Sequence, residues 1–157
     1  MIGIYPGAFD PITRGHLDII DRARRIVDSL VVAAGDNPRK ECTFDAGTRI
    51  AMIRESIGEL PNVEVISFTG LTVDAARKAG ANLLIRGLRA ISDYELEVRM
   101  AIINRRLDPD IDTIFLIASV EYSFISSSLI KEIARFGGDI SPFVPEPVLK
   151  YFEYMNR

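Results

Sequence analysis

Residues 2–16 read IGIYPGAFDPITRGH. Residues 2–5 are an apolar run with the length and composition of a buried strand, and Pro6-Gly7 ends it. Apolar residues at three-to-four spacing follow, which predicts that a first helix begins near Thr13. A strand that runs through a glycine-containing loop into a helix is typical of an α/β fold.

The same alternation continues along the chain. Strand-type runs recur at 30–34, 63–68, 83–85 and 113–118, and helical spacing appears over 45–58, 72–79, 91–102, 129–136 and 145–156. Strands that are apolar on both faces and alternate with helices predict a parallel sheet with right-handed crossovers. We therefore predict a single domain over 1–157 with a Rossmann-like, doubly wound α/β fold. Its five-stranded parallel sheet has the order 3-2-1-4-5, with helices at the C-terminus.

Composition excludes several classes of protein. The 157 residues are 48% hydrophobic and 26% charged, as expected for one compact domain. A net charge of −3 argues against coating of nucleic acid or of an anionic membrane, so we expect neither as a partner. The single cysteine, Cys42, excludes an internal disulfide, and with the single histidine, His16, it cannot form a Cys/His zinc site. With no signal peptide or membrane span, these features favour a reducing, cytoplasmic location.

In such a sheet, ligands bind beyond the carboxyl ends of strands one and four. Residues 6–16 follow strand one and place His16 in the opening turn of a helix, where an imidazole can donate a hydrogen bond to phosphate. The alternative is a surface or capping histidine. Residues 86–91 follow strand four and begin with Arg86 and Arg89, whose guanidinium groups can bind phosphate or carboxylate. Their alternative is ion pairing with Asp93 or Glu95.

Residues 119–128 follow strand five and end in Ser126-Ser127-Ser128 at the start of a helix. One serine suffices for a cap, so the additional hydroxyls favour a bound anion, with redundant capping as the alternative. The chain has no G-x-x-x-x-G-K-[ST], G-x-G-x-x-G or G-x-S-x-G motif. A phosphate site without an evident nucleophile is typical of group transfer in which the protein positions and neutralises its substrates.

Three segments, 4–16, 84–90 (LIRGLRA) and 124–128 (FISSS), resemble in order and spacing the motifs of phosphopantetheine adenylyltransferase, a nucleotidyltransferase family with a T/H-x-G-H signature. The resemblance extends over essentially the whole chain. It implies transfer of AMP from ATP to 4′-phosphopantetheine, giving dephospho-coenzyme A and pyrophosphate in coenzyme A biosynthesis. It also implies Mg²⁺ with the ATP, a homohexamer, and coenzyme A as a candidate inhibitor.

The resemblance also implies roles for individual residues, with His16, Lys40 and Arg89 as the catalytic groups. The implied ATP-binding positions are Ala8, Phe9, His16, Gly87, Leu88, Arg89, Glu97, Tyr122, Ser123, Phe124, Ile125, Ser126, Ser127 and Ser128. The implied phosphopantetheine-binding positions are Ala8, Lys40, Thr72 and Arg86. No residue is implied as a metal ligand.

Two departures from the family pattern are Ala8, where threonine or serine is usual, and Tyr122, where tryptophan is frequent. A sibling enzyme acting on nicotinate mononucleotide or glycerol phosphate remains an alternative, because the superfamily shares T-x-G-H. A non-catalytic sensor of ATP or coenzyme A is another, and Ala8 is the feature that favours it. The apolar Phe143, Val144 and Phe152 are compatible with either a subunit interface or the core.

Overall fold

The computed structural model describes residues 1–36 and 41–155. Over these residues the chain forms strands β1 (Ile2–Gly7), β2 (Ser29–Gly35), β3 (Val63–Phe68), β4 (Leu83–Leu88) and β5 (Asp112–Ile117). Its helices are α1 (Arg14–Ala23), α2 (Ala46–Ile57), α3 (Thr72–Lys78), α4 (Ile91–Leu107), α5 (Ser127–Arg135) and α6 (Glu146–Met155). A short 3₁₀ turn, Val120–Tyr122, lies between β5 and α5.

The five strands form one parallel sheet in the order β3-β2-β1-β4-β5, which confirms the predicted order. Neighbouring side chains of β1 enter different cores: Tyr5 packs with residues of α1, α2, α5 and α6, whereas Ile4 packs with residues of α3. Apolar side chains are therefore buried on both faces of the sheet, as a doubly wound fold requires.

Local sequence determines where α2 begins and ends. The Asp45 side chain accepts a hydrogen bond of 2.8 Å from the Thr48 N–H, and Gly58 ends the helix with a φ of 61°. Helix α1 ends at Ala23, although apolar residues at helical spacing continue in the sequence to Val27. Val27 still packs into the core, from the turn that follows the helix.

Strand β4 is three residues longer than predicted. Arg86, Gly87 and Leu88 do not form a loop but continue the strand, opposite Phe115, Leu116 and Ile117 of β5. The prediction was wrong because glycine is a poor strand former, whereas pairing with the apolar end of β5 outweighs that preference.

The apolar pattern that predicted α4 does not form a buried face. Tyr94 and Ile102 are 55% and 59% exposed, so the helix is present but part of its expected packing side faces outward. In contrast, Val144 and Phe152 belong to the main core with Phe143 packed against it, which answers the question that the sequence left open. Among the helices of 1–36 and 41–155, none is both long and apolar enough to cross a bilayer.

Candidate active site

A cavity of about 390 Å³ lies at the carboxyl ends of β1 and β4, where the sequence predicted a ligand site. It is walled by the loop after β1, the first turn of α1, the end of β4, one side of α4 and the N-terminus of α5. Its lining residues are Tyr5, Pro6, Gly7, Ala8, Phe9, Thr13, Gly15, His16, Ile19, Arg86, Gly87, Arg89, Asp93, Leu96, Glu97, Ala118, Ile125, Ser126, Ser127 and Ser128.

His16 is both a helix cap and part of the cavity wall. The Thr13 N–H donates to His16 Nδ1 at 3.1 Å, and the His16 N–H donates to Thr13 Oγ1 at 3.3 Å, a reciprocal capping box. The capping alternative from the sequence is thus correct, but it does not remove the imidazole from the cavity.

The capping bond determines the tautomer of His16. A neutral imidazole whose Nδ1 accepts a hydrogen bond carries its proton on Nε2. Burial, together with the positive charges of Arg89 and Arg86, lowers the pKa of His16 from 6.5 to about 4. At neutral pH the cavity therefore contains a neutral imidazole with an Nε2–H donor and no charge of its own.

Arg86 is tied to α4 and to β1. Its Nε and Nη2 donate to the two carboxylate oxygens of Glu97 at 2.7 and 2.6 Å, and Nη1 donates to the Pro6 carbonyl at 2.5 Å. Burial opposes the charged guanidinium, but hydrogen bonding and attraction from Glu97 raise the pKa of Arg86 above its usual value. Arg86 is thus a rigid cation, with three of its five N–H donors in use.

Arg89 is held in a similar way by the first turn of α4. Its Nε and Nη2 donate to the Asp93 carboxylate at 3.1 and 3.3 Å, and Nη1 donates to the Ile125 carbonyl at 3.2 Å. The contact to Ile125 links the end of β4 to the segment before α5. The ion-pair alternative from the sequence is therefore correct for Arg89 with Asp93, whereas Arg86 pairs with Glu97 and not with Glu95.

The charges that line the cavity balance. Two guanidinium groups face two carboxylates, Asp93 and Glu97, and His16 is neutral. An anion bound here therefore depends on directed donors: the free N–H groups of the arginines, His16 Nε2–H, and the backbone amides at the start of α5.

The three serines before and within α5 have different roles. Ser126 caps the helix by accepting from the Leu129 N–H at 3.1 Å, and the Ser127 hydroxyl donates to the Pro11 carbonyl at 2.8 Å. Ser128 lines the cavity, and its hydroxyl makes no hydrogen bond to the described part of the chain. Capping accounts for only one of the three hydroxyls.

Many of the site residues expected from the sequence meet in this cavity: Ala8, Phe9, His16, Arg86, Gly87, Arg89, Glu97, Ile125, Ser126, Ser127 and Ser128. Five lie outside its wall: Leu88, Thr72, Tyr122, Ser123 and Phe124. Lys40 lies outside the described residues.

The excluded residues have other surroundings. Leu88 continues the strand toward a neighbouring surface pocket, and the Ser123 hydroxyl donates to the Val120 carbonyl at 2.9 Å. Phe124 is exposed and stacks edge-on against Phe143. Thr72 begins α3, which follows β3, the strand at one edge of the sheet.

Several residues of the cavity wall were not assigned to the site from the sequence, among them Tyr5, Asp93 and Leu96. Tyr5 ends the apolar run of β1, and its hydroxyl lies close to Gly87 near the end of β4. Asp93 and Leu96 share one side of α4 with Glu97, at the spacing of three to four that marks a helix face. The helical spacing of Asp93, Leu96 and Glu97 after Arg89 was the feature of the sequence that could have placed these side chains at the site.

The cavity does not resemble a resident metal site. Within 1–36 and 41–155 no three His, Cys, Asp or Glu side chains are grouped so that they could hold a metal ion. The two cavity carboxylates are already hydrogen-bonded to Arg86 and Arg89.

Comparison with known proteins agrees with the geometry. A family model described as cytidylyltransferase-like matches residues 4–133. A phosphopantetheine adenylyltransferase from Alkaliphilus metalliredigens is 52% identical over 149 residues, which cover 95% of either chain. A protein of the same name from Prochlorococcus marinus is 54% identical over 94% of this chain and 94% of its own. Another from Methylococcus capsulatus is 54% identical over 90% of this chain and 88% of its own. The chain therefore belongs to the phosphopantetheine adenylyltransferase family of cytidylyltransferase-like nucleotidyltransferases.

Proposed function

We propose that this protein transfers AMP from ATP to 4′-phosphopantetheine, giving dephospho-coenzyme A and pyrophosphate in coenzyme A biosynthesis. The observation that carries the proposal is the neutral His16, whose Nδ1 is occupied by the Thr13 N–H and whose Nε2–H remains for the cavity. The names of the relatives supply the acceptor.

The reaction needs no general base. A phosphate oxygen of the acceptor is already anionic at pH 7, so it can attack the α-phosphorus of ATP directly. One P–O bond forms, the bond between the α-phosphorus and the bridging oxygen breaks, and pyrophosphate leaves with that electron pair. Charge develops on the α-phosphate oxygens, and a fixed Nε2–H donor with rigid arginines can stabilise it without reorganising.

The arginines have separate roles in this proposal. Arg89, between Asp93 and the Ile125 carbonyl, directs its free N–H groups to the nucleotide phosphates, with the start of α5 as a second source of donors. Arg86, fixed by Glu97, holds the acceptor phosphate. Lys40 and Thr72 are proposed for the acceptor on the family pattern alone, as are Leu88 and the segment from Tyr122 to Phe124 for ATP.

The remaining features are also proposals. Mg²⁺ enters as the counter-ion of ATP, because the cavity carboxylates are paired with arginines. Coenzyme A, which contains the product, is a candidate inhibitor at the same site. The single thiol, Cys42, is compatible with a cytoplasmic location. A homohexamer is proposed on the family pattern, and exposed apolar residues on α4 offer a surface for contact between subunits.

Product analysis with a panel of acceptors tests the proposal. MgATP is supplied with 4′-phosphopantetheine, nicotinate mononucleotide or glycerol phosphate, and pyrophosphate release is followed while the product is identified by mass. We expect turnover with 4′-phosphopantetheine only, and a product with the mass of dephospho-coenzyme A. Turnover on another acceptor would establish a sibling enzyme, and ATP binding without turnover would establish the sensor.

A further inference from the structure

Arg49 on α2 is a fully buried arginine outside the cavity wall. It is 0% exposed, and its guanidinium donates to the carbonyls of Phe44 at 3.1 Å, Ala8 at 2.8 Å and Gly35 at 2.8 Å, and to the Asp36 carboxylate at 2.9 Å. Burying a guanidinium is expensive unless every donor finds a partner. Here the guanidinium donates mainly to backbone carbonyls, so its function is to hold these backbone segments in place.

The backbone groups that Arg49 holds belong to different segments that meet beside the cavity. Ala8 follows β1, Gly35 ends β2, and Phe44 precedes α2. A second buried group supports the same region: the Asp10 carboxylate accepts from the Phe44 N–H at 3.0 Å and from Lys131 Nζ at 2.7 Å. The loop after β1 is thus held from both sides.

Holding the Ala8 carbonyl determines where the next amide points. In a trans peptide the C=O and the following N–H point in opposite directions, and Asp10-Pro11 is the cis bond identified in the described chain. The Ala8 carbonyl accepts from Arg49, which is not part of the cavity wall, so the Phe9 N–H points away from Arg49. Ala8 and Phe9 themselves both line the cavity.

The Phe9 amide has the properties of a donor that awaits a ligand. Phe9 is 1% exposed and has a φ of 48°, in the left-handed region that non-glycine residues seldom adopt. Its N–H has no acceptor among the described residues. Buried backbone donors are rarely left unpaired, and local strain is common where a backbone binds a ligand.

We propose that Arg49 is a positioning residue that, by binding the Ala8 carbonyl, directs the Phe9 N–H toward a phosphate group of the nucleotide. The inference rests on the proposed function for the identity of the anion. Position 8 is alanine and offers no hydroxyl. Because of this, the orientation of the peptide between Ala8 and Phe9 matters more here than in a chain with threonine at this position.

Arg49→Lys tests the proposal, with Arg54→Lys as its matched control. Lysine keeps the charge but cannot reproduce a planar fork that reaches several carbonyls. Arg54 lies on the same helix and donates to a backbone carbonyl, that of Val65 at 3.0 Å, away from the cavity. A loss of helix docking would affect both variants, whereas a loss of amide orientation affects only the first.

The readouts are the Kd of MgATP by calorimetry, below the melting temperature of each variant, and the ¹⁵N–¹H shift of the Phe9 amide on addition of ADP. We expect Arg49→Lys to bind MgATP about tenfold more weakly or worse and to lose the Phe9 shift, with Arg54→Lys within about twofold of wild type. Equal Kd values for the two variants would overturn the proposal.

Two further measurements test the role of Arg49 even if the proposed function is wrong or the variant does not fold. If the wild-type protein turns over no acceptor, inorganic pyrophosphate replaces ADP, and the Phe9 shift still reports whether Arg49 orients the amide. If Arg49→Lys does not fold, the wild-type spectrum decides: a Phe9 amide that shifts strongly with ADP or pyrophosphate supports the proposal. A Phe9 amide that shifts with neither ADP nor pyrophosphate overturns the proposal.

Discussion

At the scale of single residues, His16 combines two functions that the sequence presented as alternatives. Its Nδ1 closes the cap of α1 with Thr13, and this contact fixes the proton on Nε2. A histidine used only as a cap would not need to lie buried beside Arg86 and Arg89; burial, together with their charges, keeps it neutral. The cap is therefore the means by which the donor is oriented.

The titration of His16 is the first prediction at this scale. Its pKa is lowered to about 4 from 6.5, so the imidazole should remain neutral from pH 8 to pH 5.5. Since it is the single histidine, its NMR signals are unambiguous. We expect no transition in that interval and a spectrum of the Nε2–H tautomer. A midpoint near 6.5 would contradict the account.

The same shift has a consequence for stability. Between about pH 6.5 and 4 the unfolded chain takes up a proton at this position while the folded chain does not. This group therefore makes the free energy of unfolding decrease as the pH falls through that window, and has no such effect above it.

Ala8→Thr is the second prediction. Ala8 is exposed to the cavity, so a larger side chain has room, and a hydroxyl that bonds a charged phosphate contributes roughly 1.5–3 kcal/mol. We expect kcat/KM to rise by about one to two orders of magnitude. Ala8→Val is the control, because it adds the same volume without the hydroxyl. If both variants behave as wild type does, the hydroxyl has no part in this site.

At the scale of elements, α4 has two adjacent surfaces of different character. Asp93 and Glu97 anchor Arg89 and Arg86, whereas an apolar stripe begins at Leu96 in the cavity wall and continues through Met100, Ile103 and Leu107, each at least 43% exposed. The sequence predicted the helix but not this division. Which residues of a helix meet the sheet depends on how its neighbours pack, and a periodic pattern contains no information about a partner.

The apolar stripe on α4 leads to the third prediction. Exposed apolar rows of this kind are usually covered by another subunit. We expect sedimentation analysis to give about six times the chain mass of 17.5 kDa, and Ile103→Glu to give smaller species. Arg105→Glu adds negative charge on the opposite side of the helix and should leave the assembly intact. A wild-type protein that sediments as a monomer would exclude the hexamer.

At the scale of the whole molecule, the sheet order follows from the apolar runs and from the handedness of crossovers, and it was predictable for that reason. The cavity was predictable because parallel strands end at one edge. The role of Arg49 was not predictable, since in the sequence it is only a polar residue within a helical pattern. Its burial depends on three backbone segments meeting, and only the folded chain brings these together.

The pairing of Glu97 with Arg86 was unpredictable for a similar reason. Family resemblance assigns both residues to ligands, but the balance of charge in the cavity depends on distances between β4 and α4. The consequence for function is that binding of anions relies on oriented N–H groups more than on net charge.

The most direct measurement compares wild type with His16→Ala in the reaction of MgATP with 4′-phosphopantetheine, with the product identified by mass and the Kd of ATP measured in parallel. The account predicts dephospho-coenzyme A from the wild type. It also predicts a fall in kcat of about 100-fold or more in the variant, while the Kd of ATP changes by less than about threefold. A wild type that forms no such product, or a variant whose kcat and ATP affinity fall equally, would contradict it.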